Sequence, residues 1–139
     1  MTAVALTYFT DFKLQIWNGV HNFNSDTFKF LLTNGAPSAA WTAISSATEI
    51  SREHGYDATG GIALTVTATS SGVAVTDYTL TAGGGTIGPF RYGILYNSSV
   101  GASNNLVLWA DYGSALTMLN TQTCLFDFPS VLLPATWSP

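Results

Sequence analysis

The sequence predicts a mainly β fold, an antiparallel β-sandwich of jelly-roll-like design with one short N-terminal helix. Three observations predict it. Six stretches carry strand chemistry, rich in Thr, Val, Tyr and Phe and mostly alternating apolar with polar residues. Turn-forming segments separate them: NGAPS, DATGG, SSG, AGGGTIGP, NSSVGASNN and DYGS. No helical pattern lies between the strands, where a parallel α/β sheet would need one. Roughly six to eight short strands joined by such turns suit a sandwich or a barrel.

Each element has its own signature. Phe9, Phe12 and Ile16 stand at helical spacing, Thr10-Asp11 can cap or charge a first turn, and Gly19 can stop the helix. The period then changes to two. In TFKFLLT, Phe28, Phe30 and Leu32 share a face opposite Lys29 and Thr33. In IALTVTAT, Ile62, Leu64 and Val66 alternate with Thr65, Thr67 and Thr69, and VAVTDYTLT repeats the pattern less cleanly. In FRYGILYN, Tyr92, Ile94 and Tyr96 face one way. In NLVLWADY, Leu106 and Leu108 oppose Val107 and Trp109, so both faces are apolar. In CLFDF, Cys124, Phe126 and Phe128 align and Asp127 points away. The longest irregular stretch runs from about Asn34 to Thr48, a length that usually marks a functional or partly disordered loop.

A chain of 139 residues reads as a single domain spanning 1–139, with extended termini and a tail over about 129–139. Only 9% of it is charged while 47% is hydrophobic. A typical soluble domain is about 25% charged. Thr, Ser, Asn, Gly and Ala take the place of the ions, and such a surface is wettable yet cheap to desolvate. That composition points to a protein packed against many neighbours. The net charge of −4, with Lys13, Lys29, Arg52 and Arg91 scattered, argues against direct nucleic-acid binding. No apolar run is long enough to span a bilayer, so no membrane partner is expected. The opening MTAVALTYFTDFK lacks a basic region before its apolar stretch, and Cys124 is the single cysteine. Both facts suit synthesis in a reducing cytoplasm.

Catalytic chemistry finds little support. GGGTIG, Gly83 to Gly88, has the spacing of a dinucleotide loop but is followed by Pro89 and strand-type residues, not by a helix. His21, His54 and Cys124 are too dispersed for a metal site; His21 reads as a turn or surface residue. Cys124 on an alternating strand reads as a small buried hydrophobe. No catalytic, cofactor or metal residues are assigned, and the chain is expected not to be an enzyme.

Interface candidates do stand out. Trp41 lies in the long loop and Trp137 in the tail, and Trp is enriched at interface hot spots. A lid over the local core is an equal reading of both. Trp17 and Trp109, on periodic elements, are expected in the core. Glu49, Arg52, Glu53 and Asp57, four of the twelve charged residues, fall within thirteen positions of EISREHGYDATGG. They form either a solvated, mutually paired loop or a partner-recognition edge, since charge sets register at interfaces.

Three segments together resemble a family of small tailed-bacteriophage structural proteins. EISREHGYDATGG is similar to the family's Glu-hydrophobic stretch ending in Gly-Tyr-x-x-Gly-Gly. SDTFKFLLTN is similar to its opening Ser-Asp-Thr-x-Lys strand, and GPFRYGILYN with LVLWADYGS to its Arg-Tyr strand and the partner ending in Asp-Tyr-Gly. Order and spacing agree from about Phe9 to Phe128, with Arg52-Glu53-His54 in place of a smaller insert. The resemblance implies a virion structural protein. With the low charge and single domain, the expected role is a capsid decoration or cement protein on the capsid exterior, made in the host cytoplasm. Its expected partners are the major capsid protein and copies of itself. The alternative is a tail or head-fibre component involved in host attachment, with Tyr56, Tyr112 or Trp41 as stacking platforms for sugars.

Overall fold

Alternating residues bury both sides of one central sheet. The computed structural model describes residues 4–129. In chain order the elements are β1 (Ala5–Tyr8), α1 (Thr10–Trp17), β2 (Phe28–Thr33), a 3-10 turn (Ile44–Ser46), β3 (Ile62–Leu64), β4 (Val66–Thr69), β5 (Gly72–Val75), β6 (Tyr78–Thr81), β7 (Ile87–Asn97), β8 (Leu106–Met118) and β9 (Thr123–Phe126). The protein is mainly β, with antiparallel sheets and one short helix. A five-stranded sheet has the order β1-β8-β7-β2-β3, and two ribbons, β4-β5 and β6-β9, stand apart from it in pairing.

The first face of the sheet carries Phe28, Phe30 and Leu32 from β2, Leu95 from β7 and Leu108 from β8. These pack with Val75, Leu80 and Phe128 from the ribbons and the segment after them, with Ile87 at the start of β7, and with Phe12 from α1, in one continuous core. Cys124, Phe126 and Phe128 point into it, and Thr123, Leu125 and Asp127 point out, as their alternation predicts. The Phe30 ring lies over Gly93 of β7, where any side chain would run into it. The second face carries Leu31, Ile94, Tyr96 and Leu106, with Phe9 and Trp109. It is covered by the segment between β2 and β3, through Trp41, Ile44 and Ala47. The long irregular stretch is thus a second covering layer, pinned by Asn105. That buried side chain accepts the Ile44 N–H (3.0 Å) and donates to the Gly101 carbonyl (3.0 Å).

Helix α1 begins after an extended Phe9 with no side-chain cap, and Asp11 sits in its first turn. It ends in a Schellman arrangement. Gly19, at φ +70°, donates to Ile16, and Val20 donates to Gln15. Phe12 and Gln15 are its buried residues. Trp17 is 85% exposed and Leu14 53% exposed, which corrects the expectation that Trp17 belongs to the core. The helix is two turns long and inserts its Phe12 side, leaving the far side to solvent.

Other differences have local causes. β1 lies inside the short apolar opening stretch, and it pairs with β8 from Ala5↔Asp111 to Tyr8↔Leu108. IALTVTAT is two strands: β3 pairs with β2, and β4 with β5. VAVTDYTLT likewise divides into β5 and β6. The breaks fall at Thr65 and at Thr76-Asp77, and the Thr76 N–H donates to the Thr65 carbonyl (2.9 Å) where the chain turns between sheets. Leu106 and Leu108 do not share a face. Leu95 pairs with Leu108 but Tyr96 pairs with Leu106, so Val107 is the extra residue of a bulge. DYGS is not a turn either. β8 runs through it, with Gly113 at φ +95° and a register shift against β7.

Candidate functional site

The charged segment Glu49–Gly61 is stapled to the sheet by tyrosines, not by ion pairs. Glu49 bridges to Thr33 as an isolated β-pair. The Leu32 N–H donates to the Tyr56 hydroxyl (3.0 Å), and that hydroxyl donates to Glu49 Oε1 (2.9 Å). Tyr56 is 1% exposed. Burial, with the Glu49 charge beside it, pushes its phenol far above the usual range. Tyr96 donates to the Gly60 carbonyl (2.6 Å) and Lys29 to the Thr59 carbonyl (3.0 Å). Arg52 turns to the Thr59 hydroxyl and not to a carboxylate. The mutual pairing of Glu49, Arg52, Glu53 and Asp57 is therefore replaced by hydrogen bonds. The Glu53 carboxylate lies 3.7 Å from the His54 ring across a partly exposed pair, and Asp57 is exposed.

His54 links this segment to the glycine run. It adopts φ +57°, its carbonyl accepts the Gly83 N–H (2.8 Å), and its ring occupies the space a Gly85 side chain would need. The run leads directly into β7. The glycines make a flat backbone platform for an imidazole, and no helix N-terminus comes after them that could meet a pyrophosphate.

The structure does not gather all the candidates at one place. Glu49, Arg52, Glu53 and Asp57 share one surface segment. Trp41 is partly buried on the second sheet face, packed with the cluster of Phe9, Leu31, Ile94, Tyr96 and Leu106. Trp137 lies outside the described residues. Trp109 is partly buried and packs against the same cluster. Of the three stacking platforms considered, Tyr56 is sealed inside and Trp41 is a lid.

Two features escape sequence reasoning. One is a groove of about 1020 Å³ between β9 and the β1–β8 side of the first sheet face. Leu6, Phe90, Ala110, Leu116, Cys124 and Phe126 line it, and both Val4 and Pro129 border it. Burial raises the Cys124 thiol above its usual pKa, so it is a poorer nucleophile than a free thiol. The other is a polar network under α1. His21 is half-buried among Phe12, Phe23 and Phe28, not on the surface. Its Nδ1 lies 3.2 Å from Asn97 Nδ2, which also donates to Asp26 Oδ2 (2.6 Å). Burial lowers the His21 pKa against the opposing charges of Asp26 and Asp11.

At the groove itself, Arg91 donates twice to Asp111 (2.8 and 3.0 Å) and lies over the Tyr92 ring. The hydrogen bonds from Arg91 hold the Asp111 carboxyl below its usual value. Among the described residues, no three His, Cys, Asp or Glu side chains gather where a metal could be held. No helix among them is long and apolar enough to cross a membrane. The arrangement offers surfaces and a groove, and Lys29, Asp26, Asp77 and Asp111 each bond a backbone atom. Comparison with protein-family models, with curated proteins and with solved structures finds no match to this chain.

Proposed function

We propose that this chain is a structural component of a bacteriophage virion, a capsid decoration or cement protein on the capsid exterior. Its partners are the major capsid protein and copies of itself. One observation carries the reading: the chain is sparsely charged, with twelve charged residues in 139, while Trp17 and Leu14 stand in water on one helix. A surface of hydroxyls and isolated rings is inexpensive to dehydrate, and Trp is among the residues most enriched in binding hot spots. Arg52, Glu53 and Asp57 ride on a segment fixed by Tyr56 and Tyr96, so they present charge at a set position. Fixed charge selects register at an interface more than it adds affinity. The role needs no catalytic step. A protein that binds the assembled shell and not its free subunits stabilises the shell by that difference in affinity.

The test uses purified particles. A decoration protein is present in a copy number that scales with the capsid lattice, and particles lacking it fail sooner under heat and osmotic stress. Trp17→Ala is expected to leave the purified chain folded, because an 85% exposed ring contributes little to its core. The same change is expected to weaken shell binding by about tenfold or more, on the scale of a hot-spot residue. Copies in threes or sixes at one vertex would support a tail or head-fibre component instead. Particles equally robust with and without the protein would overturn the stabilising role.

A further inference from the structure

Asn97 fixes the tautomer of the imidazole beneath α1. It stands at the end of β7 and is fully buried. Its Oδ1 accepts the Ser99 N–H (2.9 Å), so its amide nitrogen faces the other way. That nitrogen donates to Asp26 Oδ2 (2.6 Å) and lies 3.2 Å from His21 Nδ1. An amide nitrogen only donates, so Nδ1 is the acceptor and the neutral ring carries its hydrogen on Nε2. Turning the Asn97 amide over would break its bonds to Ser99 and Asp26 together.

A second proton can go only to Nδ1, and there it meets the Asn97 N–H, donor against donor. The charged groups that act on the ring are Asp26 from the turn after it and Asp11 from α1. Both attract an imidazolium, yet neither removes the conflict. Asp26 Oδ2 already accepts the Asn22 N–H (2.8 Å) and the Asn97 amide. Nε2 carries a hydrogen in both charge states, so protonation gives Asp11 no new donor there. The other neighbours are the rings of Phe12 on α1, Phe23 on the turn and Phe28 on β2, with centroids 5.4, 6.2 and 6.4 Å from the imidazole. They supply no acceptor for an added N–H and favour an uncharged ring.

The turn that carries His21 has fixed ends and its own internal bonds. Before it, Gly19 and Val20 close α1 onto Ile16 and Gln15. After it, the Thr27 N–H donates to Ser99 Oγ (2.8 Å) and the Thr27 carbonyl accepts the Ser98 N–H (2.9 Å). Within it, the Asp26 N–H donates to the Asn22 carbonyl (2.9 Å) and the Asn24 N–H to Asn22 Oδ1 (3.0 Å). Asn97 and the ring contacts join this unit to the sheet. We propose that His21 is a proton-operated latch: with a second proton it leaves its aromatic pocket, and the His21–Asp26 turn swings off β7 while the sheet stays paired. The opening is local, of the kind that precedes global unfolding, and it uncovers Phe12 and Phe28 at acid pH. The latch does not depend on the virion reading.

The test is an NMR titration of the full-length chain. At neutral pH the ring nitrogen signals of His21 are expected to show hydrogen on Nε2 alone, with cross-relaxation from its ring to Phe12 and Phe28. As the pH falls through the His21 midpoint, that cross-relaxation is lost and the Asn97 side-chain amide signals move, while the paired amides of β7 and β8 keep their positions. His21→Asn retains an oxygen acceptor for Asn97 and takes up no proton, so its Asn97 signals stay constant over the same range. Hydrogen on Nδ1 at neutral pH, or ring contacts that persist once His21 is charged, would overturn the latch. So would Asn97 signals that move equally in His21→Asn, which assigns the titration to Asp26, or loss of the β7–β8 signals in step with the contacts, which is global unfolding. Should His21→Asn not fold, the wild-type ring contacts decide alone.

Discussion

Tyr56 shows how one hydroxyl can hold a surface segment to a core. It serves the buried Leu32 N–H on one side and Glu49 on the other. Tyr56→Phe keeps the ring and removes the oxygen, leaving that N–H buried without a partner. Such an orphaned donor costs about 1–3 kcal/mol. The variant is expected to lose that much in urea unfolding, with an unchanged slope. His21 sets a pH limit. An unperturbed His titrates near about 6.5, and burial among Phe12, Phe23 and Phe28 lowers the folded value despite Asp26 and Asp11. Its Nε2 is buried without a hydrogen-bond acceptor. Above about pH 6.5 the ring is neutral in both states and stability is complete. Below it the unfolded chain takes up the proton first, so stability declines as pH falls through the folded value. Unfolding midpoints between neutral and mildly acidic pH should show this decline, and His21→Asn should flatten it.

At the scale of elements, the segment between β2 and β3 is the least regular part and still covers a whole sheet face. Asn105 is its anchor, joining Ile44 to the β7–β8 connection through Gly101. Asn105→Ala removes both side-chain bonds. Faster hydrogen exchange at the Ile44 amide and a red-shifted Trp emission from Trp41 are the expected results, with β7–β8 amides unchanged. An unaltered Ile44 amide would show that the segment is held without Asn105, by Trp41 packing and by backbone bonds such as that from the Asn104 N–H to the Thr42 carbonyl (2.7 Å). Bulges shape the strands in the same non-local way. The extra residue at Val107 turns Leu106 to the opposite face from Leu108, and Gly113 lets β8 continue where a turn was expected. Both depend on which residues the neighbouring strand presents, information that local alternation does not contain.

For the whole molecule, the features legible in the sequence were those that repeat locally. Phe28, Phe30 and Leu32 on one face, Cys124, Phe126 and Phe128 on another, and the stop at Gly19 all come from periods of two or of 3.6 and from glycine's access to positive φ. The mainly β class comes with them. The hidden features depend on contacts between distant segments. Trp17 has the chemistry of a core residue, and only the orientation of a two-turn helix leaves it outside. His21 has the chemistry of a surface residue, and three phenylalanines close over it. The groove arises because β9 turns away from β8 to pair with β6, a choice no single segment announces. The charged cluster was visible as a cluster, while its tyrosine staples were not.

Ser70-Ser71 is an exposed corner at the tip of β4–β5, and among the described residues that ribbon pairs with no strand of the five-stranded sheet. Nicking the backbone there, or lengthening it with a short polar insert, would leave every pairing of the five-stranded sheet intact.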